Sequence, residues 1–202
     1  MTLWLARDPL VLASKSEVRR TILENAGIPI IVRPADVDER AIEKDMAGAG
    51  ADKVAAALAL AKAQAVSAMM PGRLVLGADQ TLALGERIFS KPADRAGAAA
   101  QLRALRGQTH ALHAAIAVVE DGAEVFAELE TARLHVRAFS DDFVEAYIDA
   151  AGDKVCASVG AYQIEGTGVH LFDRIDGDQF TIMGLPLLPL LNFLRGWGYL
   201  RG

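Results

Sequence analysis

The sequence predicts an α/β protein. A mixed, partly antiparallel, twisted sheet carries flanking helices, and residues 1–202 form one domain of two lobes that share the sheet around a central cleft. Three observations predict this. The apolar run Leu10 to Ala13 reads as a buried strand that leads into small polar residues, and residues 74 to 81 share the design, a buried strand that delivers Asp79 at its C-terminal end. His110 to Glu120 and Ala123 to Arg137 are long β-prone runs separated by Asp121 and Gly122, a strong hairpin signal. No internal repeat, low-complexity tract or Pro/Ser-rich linker divides the chain.

The elements follow in order. After the first strand come Ser14 and Ser16, and Ser16 is placed to cap a helix that ends at Gly27. Val18, Ile22, Leu23 and Ala26 give that helix an inward stripe. Ile28 to Val32 is a second strand, followed by the acidic group Asp36, Asp38 and Glu39. Lys53 to about Met69 is an Ala-rich helix with a stripe through Val54, Leu58, Ala61 and Ala65, closed by Pro71 and Gly72. Lys62 lies at the edge of that stripe. The next strand delivers Asp79 at its C-terminal end, and Leu82 to Phe89 is extended, turns at Gly85 and runs into Ser90, Lys91 and Pro92. Ala93 to Arg106 is a helix stopped by Gly107. The long hairpin precedes a helix from Ser140 to Ala150, with Gly152 past its end. Gly160 to Gly168 is punctuated by glycine, a hairpin is expected around Asp176 and Gly177, and the last helix begins near Pro186.

Composition narrows the function. With 202 residues, 52% of them hydrophobic, the chain can bury one substantial core or two packed lobes. A net charge of -5 lacks the basic character of a non-specific nucleic-acid binder, so no nucleic-acid partner is expected. A local cluster of Arg and Lys can still hold a small anion. Cys156 is the only cysteine, which excludes an intrachain disulfide and a multi-thiolate metal site and fits a reducing cytosol. The first residues lack the pattern of a signal peptide. The apolar stretch from Ile182 to Leu194 is too short to span a bilayer and is interrupted by Gly184, Pro186 and Pro189. A soluble, cytoplasmic protein without a membrane partner is expected.

Several side chains could carry chemistry. A carboxylate such as Asp79 at the C-terminal end of a buried strand lies where α/β proteins handle substrates, although an Asp there also commonly caps a turn. Ser14, Ser16, Arg19 and Arg20 sit at a strand-to-helix junction, where free N–H groups and the helix dipole favour an anion and arginine adds bidentate phosphate recognition. The alternative is that Ser16 only caps and both arginines are solvated. Lys62 borders an inward stripe, where an unpaired ammonium is costly to desolvate, so it needs a partner. Lys91 stands in the apolar-flanked loop Ile-Phe-Ser-Lys-Pro. Carboxylates of the Asp36, Asp38 and Glu39 loop, together with Asp79, could form a hard oxygen site for Mg2+ or Mn2+ that also takes phosphate oxygens. His110, His113, His135 and His170 follow no zinc spacing and are taken as structural or surface residues. There is no G-x-S-x-G elbow, no Walker P-loop and no G-x-G-x-x-G after a strand.

With these residues in hand, the chain resembles the Maf family, the septum-formation-inhibitor-like nucleotide pyrophosphatases, over nearly its whole length. Seven ordered blocks carry the resemblance: Leu-Ala-Ser-Lys-Ser-Glu-Val-Arg-Arg near the start, Asp-Val-Asp-Glu at 36 to 39, Ala-Lys-Ala at 61 to 63, Gly-Ala-Asp-Gln at 77 to 80, Lys-Pro at 91 to 92, Gly-Ala-Tyr-Gln-Ile-Glu-Gly at 160 to 166, and Asp-Gly-Asp through Met-Gly-Leu-Pro at 176 to 186. The resemblance implies a Maf or ITPase-like fold, a homodimer, and hydrolysis of a nucleoside triphosphate between the α and β phosphates with a divalent metal. It implies that Ser14, Arg19, Lys62 and Lys91 hold the triphosphate, that Glu39 helps bind metal, and that Asp79 is the general base for water or a metal ligand that orients it.

The chain departs from the family's Ser-Pro-Arg-Arg pattern, with Glu17 in place of proline and Val18 at the first of those arginines. One branch of the family resembles dTTP and UTP pyrophosphatases, with Arg, Thr and Gln at three discriminating places. Another resembles 7-methyl-GTP pyrophosphatases, with a bulky apolar residue, Gln and Glu. Val18, Gln80 and Glu165 side with the second. A carboxylate such as Glu165 can accept from guanine N1–H and N2–H2 together and tolerates a cationic methylated base. The rival reading is a nucleotide-binding regulator of septum formation, which would bind nucleotide without turning it over.

Overall fold

In a computed structural model, which describes residues 2–202 and so leaves the first residue of the expected domain outside, seven strands form one sheet. They are β1 (Leu10–Leu12), β2 (Ile30–Val32), β3 (Leu74–Leu84), β4 (Arg87–Phe89), β5 (Thr109–Glu120), β6 (Ala123–Val136) and β7 (Phe172–Asp176). The order is β2-β1-β3-β5-β6-β7, with β4 paired to β3. β1 runs parallel to β2 and β3, whereas β4 pairs antiparallel with β3 and β7 antiparallel with β6. The helices are α1 (Glu17–Asn25), α2 (Glu39–Asp45), α3 (Ala51–Ser67), α4 (Arg95–Leu105), α5 (Asp141–Ala151), α6 (Gln179–Ile182) and α7 (Leu187–Gly196). The mixed sheet with flanking helices is the expected fold class.

The chain divides into two compact units. The first holds the residues up to Gln80, Ala114–Glu130 and Gly184–Gly202. One cluster in it is built from small side chains, with Ala55, Ala59, Ala63 and Val66 of α3 packed with Val11 and Val75, while Leu10, Leu12, Leu23, Leu58 and Leu76 are fully buried in the same unit. Small residues let a helix come close to a sheet, and Gly77 marks the closest approach: a Cβ there would stand 2.1 Å from the Ala59 carbonyl oxygen. The second unit holds Thr81–His113 and Thr131–Met183. Large side chains fill its core, among them Leu82, Leu102, Leu105, Leu134, Tyr147 and Tyr162.

Local signals set most boundaries. Ser16 caps α1, its Oγ accepting from the Arg19 N–H, and Gly27 past the end has φ +73°. Asp121 and Gly122 both have positive φ, as a two-residue turn between strands of right-handed twist requires. Ser140 caps α5 by accepting from the Phe143 N–H.

Three expectations are corrected. Asp79 is not at the end of its strand but inside β3, which continues to Leu84 because Leu82, Ala83 and Leu84 pair with Phe89, Ile88 and Arg87. The acidic loop at 36 to 39 opens a helix, α2, whose N-cap Asp38 accepts from the Ala41 N–H. No hairpin forms around Asp176 and Gly177: Asp178 accepts from the Phe180 and Thr181 N–H groups and turns the chain into α6.

Candidate functional site

Asp79 owes its setting to where its neighbour stops. β1 pairs with β3 through Val11↔Val75 and Leu12↔Leu76, and its last contact is Ala13 N–H to the Leu76 carbonyl at 2.8 Å. Beyond Leu76 that edge of β3 has lost β1. The Ala78 carbonyl, two residues on and therefore facing the same edge, accepts from Arg19 Nη1 at 2.8 Å instead. The strand whose C-terminal end lies beside Asp79 is therefore β1 and not β3.

Side chains alternate along a strand, so Asp79 shares the face of Gly77 that α3 covers. Lys62, between Ala59 and Ala63 on that helix, meets it: Lys62 Nζ lies 2.6 Å from Asp79 Oδ1 and 3.0 Å from Glu39 Oε1. The lysine at the edge of an inward stripe therefore has its partner, and indeed two. Asp79 is 9% exposed. Burial raises its carboxyl above the ordinary carboxylate value, against the opposing pull of the Lys62 ammonium and the Arg19 guanidinium, while Glu39 adds to the rise.

Arg19 reaches the cluster from α1. Its Nε donates to the Gly184 carbonyl at 2.8 Å and its Nη1 to Ser14 Oγ at 3.2 Å as well as to Ala78. Burial lowers the guanidinium from its ordinary value, and the charges of Asp79 and Glu39 push it back up. Ser14 is buried just past β1, and its Oγ also accepts from the Ser16 N–H at 3.3 Å. Arg20 points elsewhere, exposed and paired with Glu24 at 2.9 Å and Glu17 at 3.7 Å.

The structure brings together Ser14, Arg19, Glu39, Lys62 and Asp79, all in the first unit. Val18 is half-buried on α1. Gln80 is the last residue of that unit, and its Oε1 lies 3.5 Å from where a Gly184 Cβ would stand. Lys91 and Glu165 belong to the second unit, Lys91 exposed before buried Pro92 and Glu165 exposed on a turn. That turn follows a clamped segment, where Tyr162 OH bonds to His110 Nε2 at 2.7 Å, Tyr147 OH donates to the Ala161 carbonyl, and the Gly160 N–H donates to Gln101.

Two contributors escaped the sequence reading. Gly77 admits α3, and its place beside Ala-rich α3 was the available signal. Gly184, at φ +86°, turns its carbonyl to Arg19, and a glycine before Leu-Pro was its only trace.

Among the described residues no group of three or more His, Cys, Asp or Glu side chains is placed to hold a metal. Two carboxylates, Glu39 and Asp79, converge on one ammonium. This donor set fits an ion such as Mg2+, which commonly takes one or two carboxylates and completes its shell with waters and substrate phosphates.

Comparison with known proteins gives one consistent result. The family profile described as "Maf-like protein" matches residues 9–197. A protein of Rhodopseudomonas palustris (strain ATCC BAA-98 / CGA009) named "Nucleoside triphosphate pyrophosphatase" is 60% identical over 195 residues, 96% of each chain. A protein of the same name from Nitrobacter hamburgensis is 54% identical over 200 residues, 99% of each chain. A protein of Rhizobium etli named "7-methyl-GTP pyrophosphatase" is 50% identical over 195 residues, 96% of this chain and 98% of the other.

Proposed function

The chain belongs to the Maf family, and from that premise we propose that it is a nucleoside triphosphate pyrophosphatase with 7-methyl-GTP as its preferred substrate. The observation that carries the reading is the buried Lys62–Asp79 contact beside Ser14, at the edge that β1 vacates. A binding module has little use for a carboxylate held in a costly, desolvated setting. A hydrolase uses one to take a proton from water.

The reaction divides among the residues as follows. Asp79 orients a water molecule and accepts its proton. The water oxygen bonds to phosphorus, the α–β bridging P–O bond breaks, and monophosphate and pyrophosphate result. Ser14, Lys62 and Lys91 hold phosphate oxygens, with positive charge fixed in advance where negative charge develops. Glu39 and Asp79 would hold a divalent ion, Mg2+ or Mn2+, which supplies charge neutralisation of the phosphates when bound.

Val18, Gln80 and Glu165 support the choice of base. A carboxylate at 165 accepts from the adjacent donors of a guanine and favours its methylated, cationic form over the acceptor-rich face of uracil or thymine. The Rhizobium etli relative's name points the same way.

The test is a panel of 7-methyl-GTP, GTP, dTTP and UTP incubated with the protein and Mg2+ or Mn2+, with all products identified. Monophosphate and pyrophosphate, fastest from 7-methyl-GTP, are expected. Orthophosphate would indicate removal of the terminal phosphate, faster dTTP or UTP turnover would move the substrate to the other branch, and binding without product would leave a regulator.

A further inference from the structure

Arg19 stands in the triphosphate-holding set that the resemblance implies, but its hydrogen bonds point to another role. A guanidinium grips a phosphate through a fork of two parallel N–H groups, either Nε with Nη2 or Nη1 with Nη2. Each fork contains one nitrogen already committed. Nε donates to the Gly184 carbonyl at 2.8 Å, and the two hydrogens of Nη1 go to the Ala78 carbonyl at 2.8 Å and Ser14 Oγ at 3.2 Å. Either grip would strip a backbone carbonyl or the serine of its donor, and Gly184 holds a left-handed φ of +86° at the point where its carbonyl meets Nε.

The acceptors are themselves informative. Ser14 Oγ accepts from Arg19 Nη1 and from the Ser16 N–H at 3.3 Å. A hydroxyl has two lone pairs and one hydrogen. With both lone pairs engaged, the Ser14 hydrogen points away from these donors, and the group presents itself only as a donor, suited to a phosphate oxygen. The Ala78 carbonyl belongs to the peptide that leads into Asp79, on the stretch of β3 that β1 no longer supports. Holding that carbonyl fixes the backbone from which the Asp79 side chain projects.

We propose that Arg19 is a positioning residue, which orients the Ser14 hydroxyl and braces the Ala78–Asp79 backbone and grips the triphosphate through neither fork. This rests on the pyrophosphatase reading of the same site.

Arg19→Lys tests it, because lysine keeps the charge but cannot span the three acceptors. With wild-type protein first shown to release pyrophosphate, kcat and KM for the triphosphate are measured for both proteins, and pyrophosphate binding with Mg2+ by calorimetry. The expected result is a kcat lower by about 100-fold, the scale of a small misplacement of reacting groups, with KM and the pyrophosphate Kd within about threefold of wild type. A KM and Kd raised tenfold or more with kcat retained would make Arg19 a phosphate contact and overturn the proposal. If Arg19→Lys does not fold, Gly184→Ala decides, since its Cβ would press the guanidinium from 3.3 Å. A lowered kcat with an unchanged pyrophosphate Kd supports positioning, and an unchanged kcat or a raised pyrophosphate Kd overturns it. Wild-type protein that releases no pyrophosphate refutes the function instead.

Discussion

Replacing Gly77 with alanine should separate α3 from β3 and Lys62 from Asp79 in one step. A Cβ at 77 would lie 2.1 Å from the Ala59 carbonyl oxygen, 2.8 Å from the Ala63 nitrogen and 2.9 Å from the Ala63 Cβ. None of these is the end of a flexible side chain, so the helix itself must move. Restoring ordinary van der Waals separation requires a retreat of about 1 Å. Lys62 sits between Ala59 and Ala63 on that helix and moves with it, away from a 2.6 Å contact. Overpacking of this kind costs about 1–3 kcal/mol, which in a chain of this size lowers the melting midpoint by about 2–12 °C. The chemistry should suffer more, because about 1 Å of misplacement costs about 100-fold in rate. Thermal melts and kcat well below the melting point measure both. Gly196→Ala is the control, since its added carbon meets nothing within 4 Å. A Gly77→Ala protein with wild-type kcat and midpoint would refute the view that this contact positions Lys62.

Asp79→Asn should lower kcat by about 100-fold or more, the scale of a lost general base. It should leave the melting midpoint unchanged or higher, because burial outweighs Lys62 and Arg19 in raising the Asp79 carboxyl and its charged form therefore costs stability at neutral pH; a retained rate removes Asp79 from the mechanism. Glu165→Gln should reduce the preference for 7-methyl-GTP over UTP by about 10- to 100-fold in kcat/KM, the worth of a hydrogen bond to a charged group, and an unchanged preference counts against Glu165 as the reader of the base. His110 gives a pH signature. Burial holds its imidazole at about 4, below the ordinary 6.5, and its Nδ1 has no partner. The unfolded chain therefore binds this proton more readily, so stability is full above about pH 6.5 and falls as pH drops toward 4, by about 3 kcal/mol at most. Urea unfolding at pH 7 and 4.5 should show a smaller loss for His110→Gln than for wild type, and equal losses would remove His110 as the cause.

What could be read in advance follows from the range of the interactions. The caps Ser16 and Ser140 and the Asp121-Gly122 turn were legible because each is a local contract between a side chain or φ value and the next few backbone groups. Helix α2 was not, since Glu39–Asp45 buries no residue and presents no apolar stripe to detect. The length of β3 was hidden because Gln80 and Thr81 interrupt its apolar run, while the pairing that extends it comes from β4 after a turn. In the site, Lys62 announced its need for a partner through its spacing from Leu58. Which carboxylates supply it depends on how α2, α3 and β3 pack, and no local pattern encodes that. The Ala78 carbonyl left no sequence trace, for every residue has one.

The charge balance of the cluster bears on the metal. Lys62 and Arg19 balance Asp79 and Glu39, so without substrate these groups carry no net charge, and the Lys62 ammonium is shared between two carboxylates at 2.6 and 3.0 Å. A neutral cluster attracts a polyanion poorly, and an ammonium saturated by carboxylates is a poor phosphate anchor. Both difficulties are met if a divalent ion arrives with the triphosphate. Glu39 and Asp79 would hold such an ion, and the Lys62 ammonium would then be left to meet phosphate oxygens. On this reading Mg2+ alone should bind weakly and the Mg2+–nucleotide complex far more tightly, a difference that calorimetry with a non-hydrolysable triphosphate measures. Equal affinity for the free ion and for the complex would mean that the carboxylates form a site independent of substrate, and the coupling would fail.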